Sequence, residues 1–141
     1  MNIAFYVDSL SEEDKINAIN EQLLKCKVED ASIFYNNIAP LKINPVCGIF
    51  HAADMWSFEG VLIVSNIKNV IKASNIVNKF KIVYYFDRRD DMQVMDIIMH
   101  YNKADYVICN GEQMAMEFTR LTGEKPLDII NNYDQITGLK L

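Results

Sequence analysis

The sequence predicts an α/β fold: a doubly wound, mainly parallel sheet of about seven strands with helices on both faces. Two observations carry this prediction. Short apolar runs alternate with amphipathic stretches along the whole 141-residue chain, which is typical of a sheet covered by helices. Several runs, such as 3–7 and 82–86, are almost continuously apolar, as expected for parallel strands buried on both faces. We therefore expect one Rossmann-like domain over residues 1–141.

The predicted elements follow one another in a regular order. Strands are predicted at 3–7, 32–35, 46–50, 61–64, 82–86, 106–109 and 127–130. A helix follows the first strand, because Ile16, Ile19 and Leu23 recur at helical spacing. The other helices are predicted at 52–58, 67–78, 92–102 and 112–121. Gly123 is placed to close the last of them.

Composition and charge exclude several classes of protein. The formal net charge of -5 argues against binding of nucleic acid by bulk electrostatics, which needs a basic face. Cys26, Cys47 and Cys109 are odd in number and widely spaced, which indicates buried thiols in a reducing cytoplasm. We expect no metal site, no cofactor, no signal peptide and no membrane span.

Polar residues follow most of the predicted strands. In open α/β sheets, ligands bind beyond the carboxyl ends of the strands, so these residues are the candidate site. They are Asp8, Ser9, His51, Ser65, Asn66, Asp87, Arg88, Arg89, Asn110, Gly111 and Glu112.

Asp8 and Ser9 follow the first strand, where a phosphate-binding loop would need glycines. No glycine is present, and an acidic side chain stands there instead. A dinucleotide phosphate site is therefore not expected, and the favoured interpretation is that Asp8 and Ser9 cap the following helix.

His51, Asp54 and Trp56 stand together at a strand-to-helix junction. The imidazole is a candidate base, and the tryptophan ring is a candidate stacking surface for a sugar or a nucleobase. The alternative is structural: His51 or Asp54 caps the helix, and Trp56 anchors it in the core.

Asp87, Arg88 and Arg89 follow the most apolar strand. Arginine binds phosphate or carboxylate in a bidentate manner, and Asp87 is a candidate acceptor of a hydroxyl proton. The alternative is a solvated loop with internal ion pairs. Asn110, Gly111 and Glu112 begin a predicted helix, and the first backbone amides of this helix are candidates to bind a polar ligand. The alternative is that these residues simply form a turn into the helix.

Four segments together resemble the N-terminal, acceptor-side domain of glycosyltransferases of the GT-B class: 2–7, 48–52, 81–87 and 104–134. In that family the third segment often ends in a histidine or an acidic residue that lines the acceptor side of the cleft, and Asp87 matches that place. Ile130, Asn132 and Asp134 resemble, in loose register, the passage into the donor-binding domain. The glycine-rich loop typical of the family after the first strand is missing here.

The resemblance implies that this chain is the acceptor-side half of a GT-B glycosyltransferase, truncated or split, with a donor-domain partner and a sugar or nucleotide-sugar ligand. His51 and Asp87 are then the expected catalytic residues. Because the family holds the sugar nucleotide chiefly with its second domain, we do not expect autonomous transfer. The alternative is a stand-alone binding or interaction module without catalysis, for example a homodimer packed through exposed apolar helix faces.

Overall fold

A computed structural model describes residues 2–26, 31–41, 44–76, 79–87, 91–131 and 135. Seven strands are described: β1 (Ile3–Ser9), β2 (Ala31–Asn37), β3 (Gly48–His51), β4 (Glu59–Val64), β5 (Lys79–Phe86), β6 (Tyr106–Asn110) and β7 (Asp128–Ile130). The α-helices are α1 (Glu13–Cys26), α2 (Ile67–Ser74), α3 (Val94–His100) and α4 (Gly111–Thr122). Short 3-10 helices cover Ala52–Ser57, Asp91–Gln93 and Tyr101–Lys103.

The strands form one seven-stranded sheet in the order β3-β2-β1-β4-β5-β6-β7, and every pairing is parallel. The predicted α/β fold with a parallel sheet is therefore confirmed. The order 3-2-1-4-5-6 is the Rossmann order, with β7 added at one edge. The fold is Rossmann-like in this broad sense.

Each face of the sheet has its own apolar core. Ala4 and Tyr6 of β1 belong to the core beneath α2, α3 and α4. Ile3, Phe5 and Val7 point to the opposite face, where α1 contributes Ile16, Ile19 and Leu23. Because both faces are covered, β1 is buried from Ile3 to Val7, which explains its continuous apolar run.

Two helices differ from the sequence prediction at their ends. The helix predicted at 67–78 ends at Ser74, because the Asn75 amide donates to Lys72 O and tightens the last turn. The helix predicted at 92–102 is α-helical only at Val94–His100 and continues as a 3-10 turn. Among the described helices, none combines the length and apolar character that a membrane span requires.

Candidate functional site

The strand order reverses between β1 and β4, and this reversal locates the candidate site. Ligands of open α/β sheets bind in the crevice that such a reversal leaves beyond the carboxyl ends of the strands. Asp8 and Ser9 end β1, and Ser65 and Asn66 follow β4. The structure therefore brings these four predicted residues to one edge.

On the α1 side of this edge lies a crevice of about 470 Å³, which we call the α1-side crevice. Its lining residues are Ser11, Glu12, Glu13, Asp14, Lys15 and Asp87. Lys15 Nζ donates to Ser65 Oγ at 2.8 Å and lies 3.6 Å from Glu12 Oε2. Since the ammonium group donates to the serine, it orients that hydroxyl and does not remove its proton.

The loop between β1 and α1 uses its own backbone amides. Leu10 N donates to Asn37 O at 3.1 Å, and Ser11 N donates to Ser9 Oγ at 3.2 Å. Glu12 N and Glu13 N donate to Ser9 O and Ser11 O, at 3.2 and 2.9 Å. A phosphate at this loop would need such amides to be free and pointing at it. The loop geometry therefore disfavours an anion here, as does the acidic first turn of α1.

On the α2 side, four polar side chains from three elements form a hydrogen-bonded group that we call the central cluster. Tyr6 Oη donates to Asn36 Oδ1 at 2.5 Å. Asn36 Nδ2 in turn donates to Asp8 Oδ1 at 3.1 Å and to Asn69 Oδ1 at 2.9 Å. β1, β2 and the first turn of α2 thus meet at the carboxyl edge of the sheet.

Two members of the central cluster, Tyr6 and Asn69, are buried, whereas Asp8 and Asn36 are partly exposed. Tyr6 is 3% exposed and Asn69 is 1% exposed. Asn69 Nδ2 has no hydrogen-bond partner within the part of the chain that the structure describes. A buried polar group left without a partner costs about 1–3 kcal/mol. Such a group in a folded protein calls for a reason.

The charge on Asp8 influences the tyrosine of this cluster. Burial raises the pKa of Tyr6, its hydrogen bond with Asn36 lowers the pKa, and the negative charge of Asp8 raises it again. The phenol therefore stays protonated at neutral pH. It can act as a permanent donor to Asn36.

Two of the predicted residues act locally at helix starts. Asn66 is the N-cap of α2, and its Oδ1 accepts a hydrogen bond from Lys68 N at 2.9 Å. Ser9 Oγ accepts from Ser11 N just before α1. Asp8 accepts hydrogen bonds from Asn36 at its side chain and from Asn37 at its backbone oxygen, and so it connects strands rather than capping α1.

His51, Asp54 and Trp56, which we call the β3-edge group, lie at the other end of the sheet. His51 Nδ1 accepts from Ala53 N at 3.0 Å and caps the 3-10 helix. Trp56 is 69% exposed, whereas its neighbour Met55 is completely buried. The residue that anchors this helix in the core is therefore Met55, and the interpretation of Trp56 as the anchor is corrected.

The structure does not bring His51 and Asp87 together. They end β3 and β5, which are four positions apart in the sheet, or roughly 19 Å at the usual strand spacing. Asn110, Gly111 and Glu112 start α4 after β6, three positions from β1 and roughly 14 Å away. Asn110 makes no side-chain cap bond, and Gly111 has the positive φ of 81° that the turn into α4 requires.

Asp87 lines the α1-side crevice. Its negative charge also affects Tyr85, near the end of β5. Burial, and then the charge of Asp87, raise the pKa of Tyr85 to about 12. Arg88, Arg89, Asn132 and Asp134 lie outside the described residues. Within the described part, no three His, Cys, Asp or Glu side chains are grouped to hold a metal ion.

Sequence reasoning missed three of the residues that build this edge: Lys15, Asn36 and Asn69. Asn36 could have been predicted from the sequence, because Asn36 and Asn37 end the second strand as Asp8 and Ser9 end the first. Lys15 and Asn69 are helix residues, and no strand-end rule points to them. Their role depends on which strands α1 and α2 cover.

No protein-family model, no curated protein and no solved structure matches this chain. The structure thus supports the broad Rossmann-like fold, and the function has to be argued from the site itself.

Proposed function

We propose that this chain binds a hydroxyl-bearing small molecule at the carboxyl edge of β1 and β4, and that it serves as the acceptor-side part of a glycosyltransferase. The observation that carries the proposal is the convergence of the central cluster and the α1-side crevice at the reversal of strand order. Together they present carboxylates, hydroxyls and amides, which are the groups that hydrogen-bond sugar hydroxyls.

The polarity of the site favours an acceptor over a sugar nucleotide. A diphosphate needs free amides or uncommitted cations, yet the β1–α1 loop amides are used internally and Lys15 is engaged by Ser65 and Glu12. Asp87 in the crevice is the carboxylate proposed to accept the proton of the attacking hydroxyl. Groups that stabilise the leaving diphosphate would come from a separate donor-binding domain.

A ligand panel tests this proposal. Monosaccharides and disaccharides at millimolar concentration should raise the Tm of the purified protein, and UDP- and GDP-sugars should not bind in calorimetry. Asp87→Asn should weaken sugar binding about tenfold, because a hydrogen bond to a charged group contributes about 1.5–3 kcal/mol. The matched control is Asp54→Asn, which removes the same charge at an exposed position of the β3-edge group.

Three results would contradict the proposal. Tight binding of a sugar nucleotide by the chain alone would rule out an acceptor-side role. Absence of any sugar response would rule out a hydroxyl-bearing ligand. Equal effects of Asp87→Asn and Asp54→Asn would place the ligand outside the α1-side crevice.

A second candidate function is a non-catalytic interaction module. One specific observation favours it: Met95 and Met99, one helical turn apart on α3, are 65% and 62% exposed. Exposed methionines are common on surfaces that bind other proteins. Light scattering distinguishes the two functions, since a module that self-associates should lose its dimer in the double variant Met95→Glu/Met99→Glu, whereas a monomer in both cases counts against it.

A further inference from the structure

The hydrogen bonds of the central cluster have a defined direction. An ionised carboxylate can only accept, so Asn36 has to turn its Nδ2 toward Asp8. This leaves Asn36 Oδ1 facing Tyr6, which meets it as a donor. Asn36 is thereby held in one orientation from both ends.

The same direction accounts for the buried donor on Asn69. Asn36 Nδ2 also donates to Asn69 Oδ1, so the other branch of that amide, Nδ2, is left without a partner among the described residues. Turning the Asn69 amide over would place two donors face to face. The unpartnered donor therefore persists as long as Asp8 holds Asn36 in place.

A packing role alone gives no reason for this arrangement. An apolar residue in place of Asn69 would avoid the buried donor, and one in place of Asn36 would need no orientation. The arrangement instead fixes the Asp8 carboxylate. Asn36 Nδ2 holds Oδ1 of Asp8, while Oδ2 has no hydrogen-bond partner in the described part of the chain. A carboxylate that is held on one side and available on the other is typical of a binding residue supported by neighbours.

We propose that Asp8 is the ligand-binding carboxylate of this edge, that Asn36, oriented by Tyr6, is its positioning residue, and that the group it receives is a hydroxyl of a neutral ligand. The inference rests on the proposed function and deepens it by naming the residue and the ligand group. A phosphate is disfavoured by the same geometry, since Asp8 would repel it and the neighbouring loop amides are already used.

The first test needs no ligand. The carboxyl NMR signal of Asp8 at neutral pH should shift in Asn36→Leu relative to the unmodified protein, because the hydrogen bond from Asn36 Nδ2 is lost. Tyr6→Phe retains the packing and should shift this signal by a smaller amount. In Asp8→Asn the pKa of Tyr6 should fall, since the nearby negative charge is removed. The control is Asn75→Leu, at an exposed asparagine beyond α2, which should leave the Asp8 signal and the Tyr6 pKa unchanged.

The second test uses three probes: D-glucose, D-galactose and inorganic phosphate. Either sugar should shift the amide signals of Asp8 and Asn36, with affinity reduced at least tenfold in Asp8→Asn and several-fold in Tyr6→Phe. Phosphate should leave these signals in place.

The outcomes separate the inference from the proposed function. An Asp8 carboxyl signal that is unchanged in Asn36→Leu overturns the positioning role, whether or not a sugar binds. Sugar binding that Asp8→Asn does not weaken overturns the assignment of Asp8 while leaving the proposed function standing. A shift of the Asp8 amide signal on addition of phosphate, or no response to either sugar, overturns the assignment of the ligand group as a neutral hydroxyl. If Asn36→Leu does not fold, Tyr6→Phe gives the same decision.

Discussion

The central cluster and the β3-edge group both contain polar residues that follow strands, yet their hydrogen bonds differ in kind. In the central cluster, each bond joins residues about thirty positions apart, from β1, β2 and α2. At the β3 edge, His51 bonds Ala53 N, and Ser57 Oγ donates to Asp54 O, both within one turn of a short helix. The first arrangement links elements of the fold, and the second only closes a local turn.

This difference separates two meanings of a polar residue at a strand end. A local bond satisfies the backbone at a helix start and asks nothing of the rest of the chain. A part-buried bond between distant elements needs the whole fold to form, and it holds a side chain in one geometry, as a binding site requires. The comparison therefore favours Asp8 over His51 as the residue that meets a ligand.

Two glycines test how rigidly the centre and the edge of the sheet are built, and here we expect the largest effect. Gly60 in β4 has a φ of 142°, and an added Cβ would lie 2.4 Å from the backbone oxygen of Asn2. Gly60→Ala should lower the free energy of unfolding by about 3 kcal/mol or more, since strain and a backbone clash combine. Gly48→Ala in β3 should cost less than about 1 kcal/mol, because its Cβ would meet only the half-exposed ring of Phe50. Urea unfolding measures both, and equal costs would remove the contrast.

Neighbouring residues of the 3-10 helix test what holds the β3 edge. Met55→Ala should lower the free energy of unfolding by about 2–4 kcal/mol, because a fully buried side chain leaves a cavity. Trp56→Ala should change it by less than about 0.5 kcal/mol, since most of the ring is exposed. Quenching of the single tryptophan by acrylamide in the native protein should confirm that exposure. A stability loss in Trp56→Ala as large as in Met55→Ala would show that the ring is packed after all.

Alkaline pH should give the smallest effect, and it compares the half-buried thiol of Cys47 near the edge with the phenol of Tyr85 near the centre. Burial raises the pKa of Cys47 from 9.0 to about 11, and burial with the charge of Asp87 raises that of Tyr85 from 10.0 to about 12. A raised folded-state pKa gives stability that is complete below the unfolded value and lost above it. The Tm should therefore fall between pH 8 and pH 10, and further toward pH 12. Cys47→Ala should reduce this fall without delaying its onset, because burial also raises the pKa of Cys109 from 9.0 to about 12. A Tm independent of pH up to 11 would contradict the raised pKa values of these groups.

Much of the fold could be predicted from the sequence, because parallel strands buried on both faces leave a pattern that single residues carry. All seven predicted strands overlap the observed ones. As predicted, Asp8 lies at the end of β1 and Ser65 directly follows β4. The helix ends were less predictable, since a 3-10 turn such as Tyr101–Lys103 has the same apolar spacing as a continued α-helix.

The site was predictable only in part. That His51 and Asp87 follow strands is readable from the sequence, whereas their separation by four strand positions depends on the strand order. Asn69 could not be predicted as a site residue for the same reason, because a helix residue lies at the carboxyl edge only once α2 is placed against β1 and β2.

The sequence by itself determined the class of fold and the set of polar strand ends, because the period of apolar residues and the residues that interrupt it are local properties. Only the tertiary structure decided which of these ends meet, because strand order is set by how the crossovers pack and not by any one segment. The bonds from Asn36 to Asp8 and Asn69 are the result of that packing, and for this reason the chemistry of the edge became visible only in the folded chain.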